Sequence, residues 1–223
     1  MQKQNNPKAE FQAMLERSKK MKKKILILLI CCAVCVALLF GTIELVEYLT
    51  FLKDTTVPEG TFDFYPVYSG DIFEYDDYMH LNRQISYCDD PAGYGTTTVV
   101  TEDTKEDFEP PVLFLCDYIE SIIMGDSHRY NQFFNRTYFK KVEPKTSFAQ
   151  QMLYDIKITY YSTEEGKNGS KLISYRLEYM IFENNGTFRR DIGSDMSRPQ
   201  IVTLRVEKDG SMAIEKLITV FIK

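Results

Sequence analysis

The sequence predicts an α+β protein: an N-terminal transmembrane helix, followed by helices packed on an antiparallel sheet. Three observations predict it. Residues 25–43 form one apolar run without a charge. Between Pro110 and Phe134, apolar residues recur at spacings of three and four, the period of a helix. From Tyr154 onward the apolar period becomes two, and turn residues separate the segments. Helices followed by strands are the α+β order, in which helices cover one face of a sheet.

The run Ile25–Ile43 is nineteen residues long. As a helix it covers about 28 Å, close to a hydrocarbon core of about 30 Å. Only a helix satisfies its own backbone groups in lipid. Residues 1–24 carry eight Lys or Arg against two Glu, so the positive-inside rule keeps this tail in the cytoplasm and sends the chain beyond Lys53 outward. A cleaved signal peptide is the competing reading, but Gly41-Thr42-Ile43-Glu44 offers no A-x-A site. The expectation is an uncleaved signal-anchor. The protein is then single-pass in the cell membrane, with lipid as the partner of residues 25–43 and an extracytoplasmic C-terminal domain. The chain divides into four segments: a basic tail 1–24, a span with juxtamembrane extension 25–53, an aromatic-rich connecting segment 54–109, and an α+β domain 110–223.

The whole chain carries −5. The tail holds +6 and Glu44, Glu47 and Lys53 hold −1, leaving −10 for residues 54–223. Such a domain repels phosphate backbones, which excludes nucleic acid as a partner. Cys31, Cys32 and Cys35 fall in the apolar run and read as small hydrophobes. Cys88 and Cys116 lie beyond it, where a disulfide and two free thiols are both open.

Taken in order, Phe62–Tyr68 alternates aromatic residues and reads as a short edge strand, with Pro66 confining it to an edge. Asp71–Leu81 reads as a short helix. Ile85–Cys88 and Thr96–Thr101 flank Asp90-Pro91-Ala92-Gly93, which predicts a loose hairpin. Glu102–Glu109 is acidic and solvated. Pro110-Pro111 opens a helix and Gly125 ends it, with Val112, Leu115, Ile119 and Ile122 on one face and Asp117, Glu120 and Ser121 on the other. Asp126 or Ser127 caps a second helix bearing Tyr130, Phe133 and Phe134. Ser147 caps a third, Phe148–Leu153.

The strands come next. Tyr154, Ile156, Ile158 and Tyr160 share one face of the first; Ile173, Tyr175, Leu177, Tyr179 and Ile181 share one face of the second. Val202, Leu204 and Val206 alternate in the third, and Met212–Ile222 makes the last. Glu164–Gly169 and Lys208-Asp209-Gly210 are turn chemistry. Hairpin-linked strands are antiparallel with one apolar face.

Phe114-Leu115-Cys116-Asp117-Tyr118-Ile119, Gly125-Asp126, Gln151-Met152-Leu153-Tyr154-Asp155-Ile156 and Asn184-Asn185-Gly186-Thr187-Phe188 precede a close on D-G-x-x-x-I. This pattern, over roughly residues 108–222, resembles the nuclear-transport-factor-two-like (cystatin-like) cone. It also resembles single-span envelope proteins of Gram-positive bacterial type. The resemblance implies a curved, cone-like sheet. Such folds host isomerases, dehydratases, ligand binders and scaffold subunits of secretion channels, so fold does not select function.

Candidate chemistry is sparse. His80 and His128 are the two histidines, and neither has metal-ligand spacing to Cys, Asp or Glu. There is no G-x-S-x-G elbow and no phosphate-cradling loop. The resemblance implies carboxylates and tyrosines inside a cone, but Asp117 and Asp155 fall on outward faces. Inward Tyr154, Tyr160, Tyr175 and Tyr179 supply hydroxyl donors to a pocket or fill a core. The most unusual polar stretch is Asn184–Gln200, with Arg189, Arg190, Asp191, Asp195 and Arg198. Adjacent arginines suit a carboxylate or phosphate; the plainer reading is an exposed loop whose ion pairs are worth under about 1 kcal/mol each. These five, with Tyr154 and Tyr175, are the ligand-binding candidates. Asn135-Arg136-Thr137, Asn168-Gly169-Ser170 and Asn185-Gly186-Thr187 match the glycosylation sequon.

The expected function is a membrane-anchored, non-catalytic domain that binds a ligand, an envelope protein or its own copies, with no cofactor and no metal. Two alternatives stand. One is a small-molecule isomerase or hydro-lyase using a carboxylate–tyrosine pair; the other is a scaffold subunit of a secretion or conjugation channel.

Overall fold

The computed structural model describes residues 62–220. They form an α+β fold whose six strands make one sheet in the order β2-β1-β3-β4-β5-β6. In the chain, β1 is Ile85–Cys88, β2 Thr97–Val100, β3 Met152–Glu165, β4 Lys171–Phe182, β5 Gln200–Val206 and β6 Met212–Thr219. The helices are α1 (Asp76–Met79), α2 (Pro110–Ile123) and α3 (Ser127–Gln132).

The expected fold with an N-terminal transmembrane helix is corrected. Among the described residues no helix is long and apolar enough to cross a membrane. The longest of them, α2, has fourteen residues, about 21 Å of helix. The stretch 25–43 lies outside the described residues, as do the lipid contact and membrane location drawn from it. A second correction concerns the sheet, which is mixed. The pair β1 and β3 runs parallel, with Ile85 opposite Ile156 and Cys88 opposite Thr159. Parallel neighbours need a long crossover; residues 89–151, carrying β2, α2 and α3, supply it. A four-residue strand carries no mark of its partner in its own sequence. The hairpin of β1 and β2 is antiparallel, as its turn residues predict.

The α2 helix follows its sequence closely. Pro110 and Pro111 occupy the first turn, where N–H groups have no intrahelical acceptor. At the other end Gly125, at φ +68°, donates to Ile122 O while Asp126 N reaches Ser121 O. Val112, Leu115, Ile119 and Ile122 are buried against Ile158, Leu177, Val202 and Leu204 of the sheet. Each such side chain, fully buried, contributes about 1.5–3 kcal/mol. Ser121, expected outside, is buried, and it satisfies its hydroxyl by donating to Tyr118 O at 2.6 Å. Asp126 caps α3 through the Arg129 amide.

Three local expectations fail for identifiable reasons. Residues 148–151 are not helical: Ala149 N donates to Thr187 Oγ1 and Gln151 N to Ile123 O, so tertiary partners replace a helix ladder. Phe62–Tyr68 forms no strand, and one of its contacts is the bond from Tyr65 N to Asn184 O. Asp71–Leu81 splits into a 3-10 turn at Ile72–Glu74 and the short α1, because Tyr75 between them is extended. Ile72 and Tyr78 from this segment pack with Met152 in a second small cluster.

A bulge in β3 decides which tyrosines face the core. Asp155 has φ +48°, its N–H goes to Asn82 O, and the register slips between Tyr154 and Lys157. Before the slip Leu153 enters the main core, with Met152 buried in the smaller cluster; after it Ile156 and Ile158 enter the main core. On β4, Tyr175, Leu177, Tyr179 and Ile181 are buried as alternation predicts. The opposite face is polar, with Ser174 and Thr203 hydroxyls 2.9 Å apart and Arg205 bonded to Glu215 at 2.6 Å. Both Cys88 and Cys116 are free thiols. The outer edge of β6 is partly covered, since Ile214 N donates to Phe133 O and Asn135 N to Ile214 O.

A Cβ at Gly125 would stand 2.7 Å from Gln150 N and 2.8 Å from Ala149 C. Backbone cannot retreat as a side chain can, and the positive φ adds strain. We expect Gly125→Ala to lower stability by more than about 1 kcal/mol in urea unfolding.

Candidate functional site

The loop from Glu183 to Pro199 is tied inward. Asn184 is fully buried and uses its whole side chain: Oδ1 accepts from Gly186 N at 2.9 Å, and Nδ2 donates to Arg189 O at 3.1 Å and Ile192 O at 2.8 Å. Phe188 and Ile192 enter the core. Gly186, at φ +70°, lies against the Phe64 ring, where a Cβ would come within 2.7 Å. The expectation of an exposed loop with weak ion pairs is therefore overturned at its centre.

Arg189 is 5 % exposed and Asp191 is 7 %. They form a bidentate pair, with Arg189 Nε 2.9 Å from Asp191 Oδ1 and Nη2 on Oδ2. Arg189 Nη1 donates to Arg198 O at 3.2 Å and approaches the Tyr179 hydroxyl at 3.5 Å. Arg198 Nη1 stands 3.6 Å from Asp191. Burial pushes the Asp191 carboxyl up, but the Arg189 hydrogen bonds and charge, with Arg198 behind them, outweigh it and hold it below the ordinary carboxylate value.

This pair forms part of the wall of a cleft of about 250 Å³ where β5 begins and β6 ends. Tyr130, Tyr138 and Phe188 give it aromatic walls, and Val142 and Leu217 add aliphatic ones. Gln200, Thr219 and Lys145 complete the lining. Lys145 Nζ donates to Phe188 O at 3.0 Å and sits 5.1 Å from the centre of the Phe188 ring. Burial, with the Arg189 charge, moves the Lys145 ammonium below its ordinary value, and Asp191 offsets part of that. Burial pushes the Tyr138 phenol up to about 12 and raises those of Tyr118, Tyr130 and Tyr179. The Tyr118 hydroxyl is enclosed without a hydrogen bond of good geometry.

The seven candidates from the sequence part company. Arg189, Asp191 and Arg198 come together at the cleft. Arg190 is exposed, its guanidinium 5.7 Å from the Phe64 ring centre, so the adjacent arginines face opposite ways. Asp195 is exposed and accepts from the Tyr154 hydroxyl at 2.9 Å. The β3 bulge turns Tyr154 out of the core face, which corrects its expected inward placement. Tyr175 is 1 % exposed and packs edge-on against Tyr160, away from the cleft lining. Lys145, Tyr130, Tyr138 and Gln200 also line the cleft, and the sequence does not mark them as site residues. Lys145 sits in an irregular segment, and nothing in its neighbours marks it.

A larger cleft, about 480 Å³, lies between α2 and the β1–β2 hairpin. Two cations serve its three carboxylates: Arg129 bridges Asp117 at 3.1 Å and Glu120 at 2.7 Å, and Lys105 pairs with Glu102. His80 and His128 are exposed, and among the described residues no group of three or more His, Cys, Asp or Glu is placed to hold a metal ion.

Removing one partner of a buried pair strands the other charge, so Asp191→Ala should cost about 3–5 kcal/mol in urea unfolding. The double variant Arg189→Met/Asp191→Leu should be less destabilised than that single change. Because the folded state holds Asp191 below its unfolded value, its contribution is present above about pH 4 and is lost as pH falls through the folded value. Asp191→Asn should flatten that part of the acid limb of stability against pH. No protein-family model, curated protein or solved structure matches this chain, and its functional reading rests on the chemistry of the cleft.

Proposed function

We propose that residues 62–220 form a non-catalytic binding module whose recognition site is the cleft over the Arg189–Asp191 pair. One observation carries the reading: the carboxylate in the cleft is locked. A general base needs a free carboxylate with a value near the working pH, whereas Asp191 is held low and gives both oxygens to Arg189. The surrounding phenols are raised, so none is poised to exchange a proton at neutral pH. What remains is a recess with aromatic walls and fixed polar groups, which is how a binding site is built.

The isomerase reading is less well supported. It needs a carboxylate beside a tyrosine within a pocket. The pair Tyr154–Asp195 has its carboxylate exposed, and neither it nor Tyr75–Glu183 lines the cleft. The resemblance to the nuclear-transport-factor-two-like cone is compatible with either activity and selects neither.

The test is ligand-observed NMR on the full-length chain with a panel of small anions, cations and neutral aromatics. Binders should compete with one another, lose their signal in Val142→Trp, which puts a large ring on the cleft lining, and be recovered chemically unchanged. Catalytic conversion of a binder, or undiminished binding by Val142→Trp, would overturn the proposal.

A further inference from the structure

We propose that the cleft accepts a carboxylate carried on a small apolar body, with Lys145 as the charge partner. This rests on the reading of the cleft as a recognition site and names what it recognises. The charges on its wall decide the sign. Arg189 and Asp191 satisfy each other, and Arg198 lies on the far oxygen of Asp191 at 3.6 Å. Arg198 is not part of the lining, and the lining cation without an ion pair among the described residues is the Lys145 ammonium, which is half-buried. Its bond to Phe188 O uses one of three protons.

An ammonium partly withdrawn from water is an unfavourable position that an incoming anion relieves. The walls decide the rest of the ligand. Tyr130, Tyr138 and Phe188 present ring surface, with Val142 and Leu217 beside them. A volume of about 250 Å³ is below the usual range of about 300–1,000 Å³ for pockets that enclose a drug-sized molecule. One ring or a short branched chain fits. A phosphate is the poorer match, because it carries more charge and wants a fork of donors. Arg189, the fork on this wall, is already occupied by Asp191.

The same chemistry has two sources: a free aromatic or branched acid, and the C-terminal carboxylate of a peptide ending in an apolar residue. Titration of the full-length chain, followed by NMR of the Val142 and Leu217 methyls and by calorimetry, separates them. The probes are phenylacetate, phenylacetamide, phenethylamine, inorganic phosphate, and a hexapeptide ending in Leu as the free acid and as the amide. Phenylacetate should bind, and phenylacetamide should bind about 10- to 100-fold more weakly, the size of one charge-assisted hydrogen bond. Lys145→Met should lose the preference for acid over amide, and Lys145→Arg should keep it. An unchanged unfolding midpoint in both variants excludes a folding defect.

Tighter binding of the free-acid peptide than of phenylacetate assigns the site to a chain terminus, and the reverse assigns it to a free acid. Amide, amine or phosphate binding as well as phenylacetate overturns the carboxylate assignment while leaving the recognition site in place. If no probe shifts a cleft resonance, the recognition site itself falls.

Discussion

A guanidinium withdrawn from water needs acceptors on every side before the chain can close over it. Arg189 sets that requirement, and much of the region between β4 and β5 is arranged to meet it. Asp191 supplies two oxygens, Arg198 a carbonyl and Tyr179 its hydroxyl. The desolvation penalty of such a pair is of the same size as its mutual attraction. Its value to the fold lies in placement. The pair sits between Phe188 and Ile192, which enter the core, while Asn184 holds the Arg189 and Ile192 carbonyls.

The second constraint is aromatic. Tyr118, Tyr130 and Phe134 pack with ring centres 5.0–5.9 Å apart, and Phe148 and Phe188 join Tyr130 at 5.5 and 5.6 Å. Tyrosines here replace the leucines of an ordinary core and bring hydroxyls that need partners. The cleft lies beside this cluster. Its walls therefore come from rigid packing, and a ligand entering it meets a preformed surface.

Much of the fold was legible because its signals are local. The α2 helix announces itself by Pro110, Pro111 and Gly125, and β4 by five alternating apolar residues. The turns at Gly166–Ser170 and Lys208–Gly210 follow from glycine and asparagine or aspartate in turn positions, with Asn168, Gly169 and Gly210 in left-handed backbone. What was not legible depends on distant partners. Nothing near Asp155 signals the bulge that turns Tyr154 outward, since its partner Asn82 is 73 residues away. The parallel pairing of β1 is equally non-local. At the cleft, the loop was recognisable as unusual, but charge alone does not tell Arg189 from Arg190: one is buried and the other solvated because Asn184 and Phe64 lie where they do. Lys145 was invisible for the same reason.

The partial cover over the outer edge of β6 has a consequence of its own. With Ile214 already bonded to Phe133 and Asn135, a strand from another molecule cannot pair with β6 at that residue without first prying the segment away. The opposite border, β2, offers four residues, too short a template for a growing fibril. Both margins are therefore poorer templates for strand addition than a long bare edge would be.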